Sequence, residues 1–338
     1  MKAKTLLFTE EEIHFQIDEI SLSGTLTIPH KREKSPVVIL LSGYGPCKRD
    51  FEGQGLKKFR IISSHLAENG IASLRYDDRG AGNSSPVIWS DYTFNDLAKE
   101  VLAIIKVLQK HRKTYSTQIG LLGHSLGAAI APLVASHSKE VKFLVLLGGH
   151  GLIGTKTAAT TRKYLGRILG ETDKESEEGV KLVEKLFKVI LAEGEWEEVC
   201  LLVQEKITGK FLNLPDESKQ MFKTLDNYLN STYEGFLITD GNTPMYRSFL
   251  KYDPSISLSK TTCPSLLLFG ELDIIHPPDQ HMDVMLKALK HGDNNDVTVK
   301  VFPQTNHEFT TSNSLKRKEF TPNFLQVIIN WIQSILEV

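Results

Sequence analysis

Ser125, Asp273 and His307 are of the three types that together turn a hydroxyl into a nucleophile. A base takes the serine proton, and a carboxylate fixes the tautomer of that base and supports the imidazolium that forms. Ser125 sits at the centre of Gly123-His124-Ser125-Leu126-Gly127, between the apolar run Ile119, Leu121, Leu122 and the small-residue start Ala128-Ala129-Ile130-Ala131. With 24 glycines in 338 residues the five-residue pattern alone can arise by chance, so its place between a buried strand and a helix start carries the argument. So sharp a turn strains the serine backbone and leaves no room for side chains at the flanking positions, hence the glycines. The order serine, acid, histidine is the one used where such an elbow ends a strand of an open sheet. Asp273 follows an apolar run in Phe269-Gly270-Glu271-Leu272-Asp273, and His307 follows Val301-Phe302-Pro303 in the loop before the last helix. They are the expected acid and base.

Other chemistry-bearing residues fit less well. His124 adjoins the serine on a tight turn, so its side chain should point away and pack beneath the elbow. Glu271 is closer to the strand end than Asp273 and reads as a loop anchor. Asp279, His281 and Asp283 are metal-ligand types, but Pro277-Pro278 breaks the local geometry and there is no His-Glu-x-x-His, so no metal is expected. Gly80-Ala81-Gly82 lacks the third glycine and the lysine of a phosphate loop, and no cofactor is implied. Attack on a carbonyl creates an oxyanion, which needs preorganised donors. One should be the N–H of Leu126, and the other should come from Leu41-Ser42-Gly43-Tyr44-Gly45-Pro46, with Tyr44 the candidate.

These groups must be held by a scaffold. At 41% hydrophobic and 24% charged, the chain has the composition of a globular protein large enough for one core plus an insertion. A net charge of -1 gives no electrostatic ground for a nucleic-acid or anionic-membrane partner. Met1 to Phe8 is too short an apolar run for a secretory signal, and no stretch is long enough to span a bilayer. Cys47, Cys200 and Cys263 form no paired spacing, so a reduced, cytoplasmic setting is expected.

Strand-like and helical segments alternate, predicting an α/β fold with a mainly parallel central sheet and helices on both faces. His14 to Ile28 reads as an edge hairpin turning at Ser23-Gly24. Strands are expected at Val37–Leu41, Ile71–Leu74, the elbow strand, Phe143–Leu147, Ser265–Phe269 and Val297–Phe302. Helices are expected at Phe59–Glu68, after Thr93, at His281–Leu289 and at Pro322–Leu336. From about Gly151 to Phe249 the pattern is helical only, with helices at Val180–Leu191, Trp196–Ile207 and Glu217–Leu229. The expected division is a catalytic core of 1–150 and 250–338 and a helical cap, or lid, of 151–249.

Over nearly its whole length the chain resembles the alpha/beta-hydrolase superfamily, and within it the lidded carboxylesterases near the serine aminopeptidase-like (S33) hydrolases. The resemblance rests on Gly24-Thr25-Leu26-Thr27-Ile28-Pro29, Ser42-Gly43-Tyr44-Gly45-Pro46 with Arg49-Asp50, and Leu74-Arg75-Tyr76-Asp77-Asp78-Arg79-Gly80-Ala81-Gly82-Asn83-Ser84. It continues through Gly123-His124-Ser125, the stretch from Thr243 to Pro254, Gly270-Glu271-Leu272-Asp273 and Asn306-His307. It implies a triad of Ser125, Asp273 and His307 with Tyr44 and Leu126 as backbone oxyanion donors. Such esterases often carry a small residue where Tyr44 stands and an acidic one where Leu126 stands, so acyl preference does not transfer. The charged cluster Arg75, Asp77, Asp78 and Arg79 is expected mainly to brace loops.

The expected activity is hydrolysis of small to medium acyl esters through an acyl-enzyme, rising with pH as the imidazole loses its proton. Trp196, Met221, Phe222, Tyr246 and Phe249 are the expected walls of an apolar acyl site. An acyltransferase or peptidase would use the same triad, and a non-catalytic ligand-binding version of the fold would have lost it. Dehalogenases and epoxide hydrolases use a carboxylate where this chain has Ser125. The expected partner is a small-molecule ester, with self-association left open as a homo-oligomer.

Overall fold

A computed structural model describes residues 7–53, 55–192, 196–311 and 319–336. The chain divides into two compact units, one of residues 1–89, 94–152 and 253–338, the other of 90–93 and 153–252.

The first unit is built on a sheet of eight strands: β1 (Phe8–Ile17), β2 (Ile20–Pro29), β3 (Ser35–Leu41), β4 (Ala72–Tyr76), β5 (Thr114–His124), β6 (Val141–Leu147), β7 (Ser265–Gly270) and β8 (Val297–Phe302). Their spatial order is β1-β2-β4-β3-β5-β6-β7-β8. The pairings of β2 with β1 and with β4 are antiparallel and all the others are parallel. Every residue of β3 and β7 is buried, as continuous apolar runs are when helices cover both faces of a sheet. The elbow strand β5 lies between β3 and β6, well inside the sheet, where both neighbours fix its end.

In chain order the helices are α1 (Lys58–Glu68), α2 (Phe94–Lys110) and α3 (Leu126–His137), then α4 (Gly154–Ile168), α5 (Asp173–Ala192), α6 (Trp196–Leu212), α7 (Asp216–Phe222), α8 (Leu225–Ser231), α9 (Tyr233–Asp240) and α10 (Pro244–Lys251). They end with α11 (Pro254–Leu258), α12 (Pro278–His291) and α13 (Phe324–Leu336). Helices α1 and α13 bury Phe59, Ile62, Ile328 and Ile332 in one core with Val38, Val145 and Leu268 of the sheet. Helix α3 is apolar nearly all round, and most of its residues are buried.

Two sequence expectations need correction. The edge hairpin turns at Asp18-Glu19, not at Ser23-Gly24, because Ile17 pairs with Ile20 and Asp18 takes a φ of 52°. Gly24 sits inside β2, where a Cβ would lie 2.9 Å from the Arg75 carbonyl oxygen, so this glycine serves strand approach. Glu217 to Leu229 is not one helix. Lys223 turns to a φ of 65° and the Thr224 hydroxyl accepts the Asn227 N–H at 3.2 Å, starting α8 afresh.

The second unit, helices α4 to α10, has its own core around Val183, Leu186, Phe187, Ile190, Val203 and Leu237. Beside it Arg162 is buried, pairing both terminal nitrogens with Glu171 at 2.8 Å and its Nε with Glu234 at 2.7 Å. A Cβ on Gly179 would come within 2.2 Å of that guanidinium, so the glycine makes the room.

Candidate active site

Strand β5 runs into α3 through Ser125, whose φ of 55° and ψ of -112° lie outside the regions comfortable for an L-residue. Its neighbours explain how the turn closes. A Cβ on Gly123 would lie 2.1 Å from the Gly127 carbonyl oxygen, and one on Gly127 would lie 2.2 Å from that of Leu41. No side chain fits either place. Backbone hydrogen bonds fix the turn: Ser125 N–H to Leu147 O at 2.9 Å, Gly127 N–H to Ser42 O at 2.9 Å and Ala128 N–H to Ser125 O at 3.0 Å. Between them, the Leu126 N–H opens α3 with no acceptor among the described residues, at the positive end of the helix dipole.

Asp273 lies beyond the end of β7 and is 2% exposed. Its Oδ2 accepts the His307 Nδ1–H at 2.7 Å, and its Oδ1 accepts the N–H groups of Ile275 at 2.9 Å and His276 at 2.8 Å. Burial pushes the carboxyl's pKa up, but the His307 imidazole and the two backbone donors outweigh it and hold the group below its ordinary value. An ionised carboxylate therefore faces Nδ1, which sets the tautomer with the proton on Nδ1 and leaves Nε2 as the acceptor. Glu271 anchors the adjoining loop by accepting the Gln304 N–H at 2.8 Å.

The His307 ring rests over Gly148, the residue after β6. Gly148 has a φ of +56°, and a Cβ there would be 3.1 Å from His307 Cε1. The preceding residue, Leu147, accepts the Ser125 N–H, so the adjacent ends of β5 and β6 carry Ser125 and the glycine over which His307 rests. The Ser125 hydroxyl makes no hydrogen bond to His307 in this structure.

Two further histidines, neither an expected acid nor base, hold this arrangement. His124 is buried, its Nε2–H donates to the His307 carbonyl oxygen at 2.9 Å, and its ring packs on Phe51 and Phe309. Burial, with the neighbouring His307, pulls its pKa down to about 4, so no charge sits beneath the elbow. His276 stands edge-on to His307 at 5.1 Å between centroids and donates Nδ1–H to Gly148 O at 2.6 Å. Burial drives its pKa well below the ordinary value as well. His276 escaped notice in the sequence; its one signal was its spacing of three from Asp273, the reach of an Asx turn. Lys58, buried under Phe51, pairs with Glu308 next to His307 and ties that loop to α1.

Tyr44 lies in the loop after β3, with its ring edge-on to Trp89 at 4.9 Å. Arg75 pairs with Asp50 and Glu10, Asp77 with Arg49 and Arg79 with Glu100. The five residues expected to line an acyl site all belong to the helical unit. Tyr246 is in its core, with its hydroxyl 3.1 Å from that of Tyr233. Trp196 and Phe249 pack partly buried against that core, Phe222 meets Tyr228 edge-on, and Met221 is 71% exposed. Among the described residues no group of three or more His, Cys, Asp or Glu side chains is arranged to hold a metal, and no helix is long and apolar enough to cross a membrane.

Comparison with known proteins agrees with this architecture. The chain is 28% identical over 290 residues to "Esterase EstD" of Thermotoga maritima, covering 85% of this chain and 57% of that protein. It is 28% identical over 142 residues to "Protein phosphatase methylesterase 1" of Candida albicans, covering 41% of this chain and 37% of the relative. The chain thus spans less than two thirds of the length of these relatives. Among solved structures, the Pyrococcus furiosus esterase Pf2001 superposes with a TM-score of 0.59 at 18% identity over 99% of this chain and 92% of that one. Est1E of Butyrivibrio proteoclasticus gives 0.54 at 18% identity over 96% and 97%. At such identities the likeness is one of fold. A model of the alpha/beta hydrolase fold matches residues 36–311, from β3 through the His307 loop, and the chain belongs to that family.

Proposed function

We propose that this chain is a serine carboxylesterase acting on esters of small to medium acyl groups. Ser125 Oγ attacks the carbonyl carbon while His307 Nε2 takes its proton, and the N–H groups of Leu126 and Tyr44 receive the developing oxyanion. Collapse expels the alcohol, protonated by His307, and leaves an acyl-enzyme. Water then attacks, giving its proton to His307, and the acid leaves as Ser125 regains the proton.

The observation that carries the reading is the Asp273–His307 hydrogen bond of 2.7 Å beside a serine on a strained glycine-flanked elbow. A ligand-binding role alone gives no reason to maintain that strain next to an oriented imidazole. The names of the relatives, an esterase and a methylesterase, support the same class of scissile bond.

Labelling with a fluorophosphonate, followed by turnover of p-nitrophenyl esters of rising acyl length, tests it. Wild-type protein should be labelled and hydrolyse the shorter esters, and Ser125→Ala should do neither. Equal turnover by the variant would remove Ser125 from the reaction. Repeating the assay with added alcohol or amine separates transfer from hydrolysis.

A further inference from the structure

Asp78 is one of the motif residues that the proposed reaction leaves without a task. It lies just after β4, is 8% exposed, and its Oδ2 accepts two hydrogen bonds: from Ser42 Oγ at 2.6 Å and from the Cys47 N–H at 3.0 Å. The backbone returns the second contact, with Asp78 N–H donating to Cys47 O at 3.0 Å. Ser42 and Cys47 are the two ends of the segment that carries Tyr44. Ser42 is held from the other side as well, its carbonyl accepting the N–H of Gly127 at 2.9 Å. One carboxylate oxygen therefore ties both ends of that segment, and Ser42 links it to the first turn of α3, where the Leu126 N–H stands. Asp78, Ser42, Gly43, Leu126 and Gly127 also border a common cavity of about 20 Å³, no larger than a single water.

Resting on the esterase reading above, we propose that Asp78 is a positioning residue of the oxyanion site, setting the segment from Ser42 to Cys47 so that the Tyr44 N–H is held in register with that of Leu126. Segments with glycine at two positions, here Gly43 and Gly45, have large backbone freedom, and Gly45 has a φ of +105° with no atom within 4 Å of the place a Cβ would take. Nothing packs against the Cβ position of Gly45, so the polar ties at the segment's ends act beside the Tyr44–Trp89 contact in holding this turn. Because both donors converge on Oδ2, a carboxamide that puts its oxygen there satisfies the same two bonds. The arrangement depends on an acceptor atom, not on charge.

The test uses the full chain and p-nitrophenyl acetate. Asp78→Ala should lower kcat by about 100-fold, the loss typical when one oxyanion donor is misplaced, with KM within about threefold of wild type. Inhibition by an alkyl trifluoromethyl ketone, whose serine adduct bears an oxyanion, should weaken by a similar factor. Asp78→Asn should stay within about fivefold of wild type in both measurements. Ser42→Ala removes one of the two ties with little change of volume, and should lower kcat about tenfold with KM unchanged; it gives the answer where Asp78→Ala does not fold. Wild-type kcat in Asp78→Ala or Ser42→Ala overturns the assignment, as does an Asn variant as impaired as the Ala variant. Ser125→Ala, run alongside, keeps the two ideas apart: its retention of activity defeats the esterase reading, whereas an inactive Ser125→Ala beside a fully active Ser42→Ala defeats only the role of Asp78.

Discussion

His124, the residue before Ser125, donates its Nε2–H to the carbonyl oxygen of His307 at 2.9 Å. The strand that ends at Ser125 is thereby tied directly to the backbone of His307. Replacing His124 by Phe keeps an aromatic ring against Phe51 and Phe309 and removes the donor together with the buried Nδ1. Loss of one such bond between buried groups costs about 1–2 kcal/mol. Urea denaturation should show that loss, and kcat should fall about tenfold with little change in KM, because the base is misplaced rather than the substrate. A variant that loses stability but keeps full kcat would show that the tie serves folding alone.

In the proposed reaction Asp273 contributes through its charge and its orientation of His307. In Asp273→Asn the side chain matches in size, but the atom facing Nδ1 is either a neutral oxygen or an NH2 group that favours the wrong tautomer. The expected fall in kcat is about 10³- to 10⁴-fold, with unchanged circular dichroism. A fall of less than about tenfold would point to another acid for His307.

How far the sequence alone reaches depends on the kind of contact. The continuous apolar run Ser265–Phe269 located β7 to within one residue, since a buried strand leaves a pattern in its own segment. The elbow was readable in part because Gly123 answers to an atom only four residues away, at Gly127, whereas Gly127 itself answers to the distant Leu41 and Ser42. Gly24 misled because a glycine required by a neighbouring strand looks the same as one required by a turn. The Asp78–Ser42 and His276–Gly148 bonds were not readable at all: each joins segments 36 and 128 residues apart, and nothing local specifies either partner. The same limit applies to Tyr246, whose spacing on α10 is that of any inward-facing residue and whose place in the helical core is set by α4, α5 and α9.

Glycines at the site should differ sharply in their tolerance of alanine. At Gly127 a methyl group would meet the Leu41 and Ser42 carbonyls at 2.2 and 2.7 Å, backbone atoms that cannot swing aside. Gly127→Ala is expected to cost about 3 kcal/mol or more, or to leave the protein insoluble. Gly45→Ala meets no atom within 4 Å and pays only for its positive φ, about 1 kcal/mol. Thermal melts of the two variants side by side make the comparison, and equal losses would contradict the steric account of the elbow.

Asp78 also sets a pH dependence of stability. Burial pushes its pKa up to about 7, opposed by the Ser42 and Cys47 bonds and reinforced by the nearby Glu100 and Asp77 carboxylates. Between the ordinary carboxylate range and about pH 7, the folded protein keeps a proton there that the unfolded chain has released. Stability from this group is thus complete at low pH and lost as the pH rises through that window. Asp78→Asn has no proton to lose and keeps the acceptor. The gap in urea midpoint, variant minus wild type, should therefore widen from about pH 4 to about pH 7 in favour of the variant and level off above that. Asp273 tilts the absolute curves the opposite way but is common to both proteins and cancels in the difference, whereas Glu100 and Asp77 repel the Asp78 charge only in the wild type and add to the same widening. A gap that stays constant across the range would mean that Asp78 titrates in the folded protein as it does in the unfolded chain.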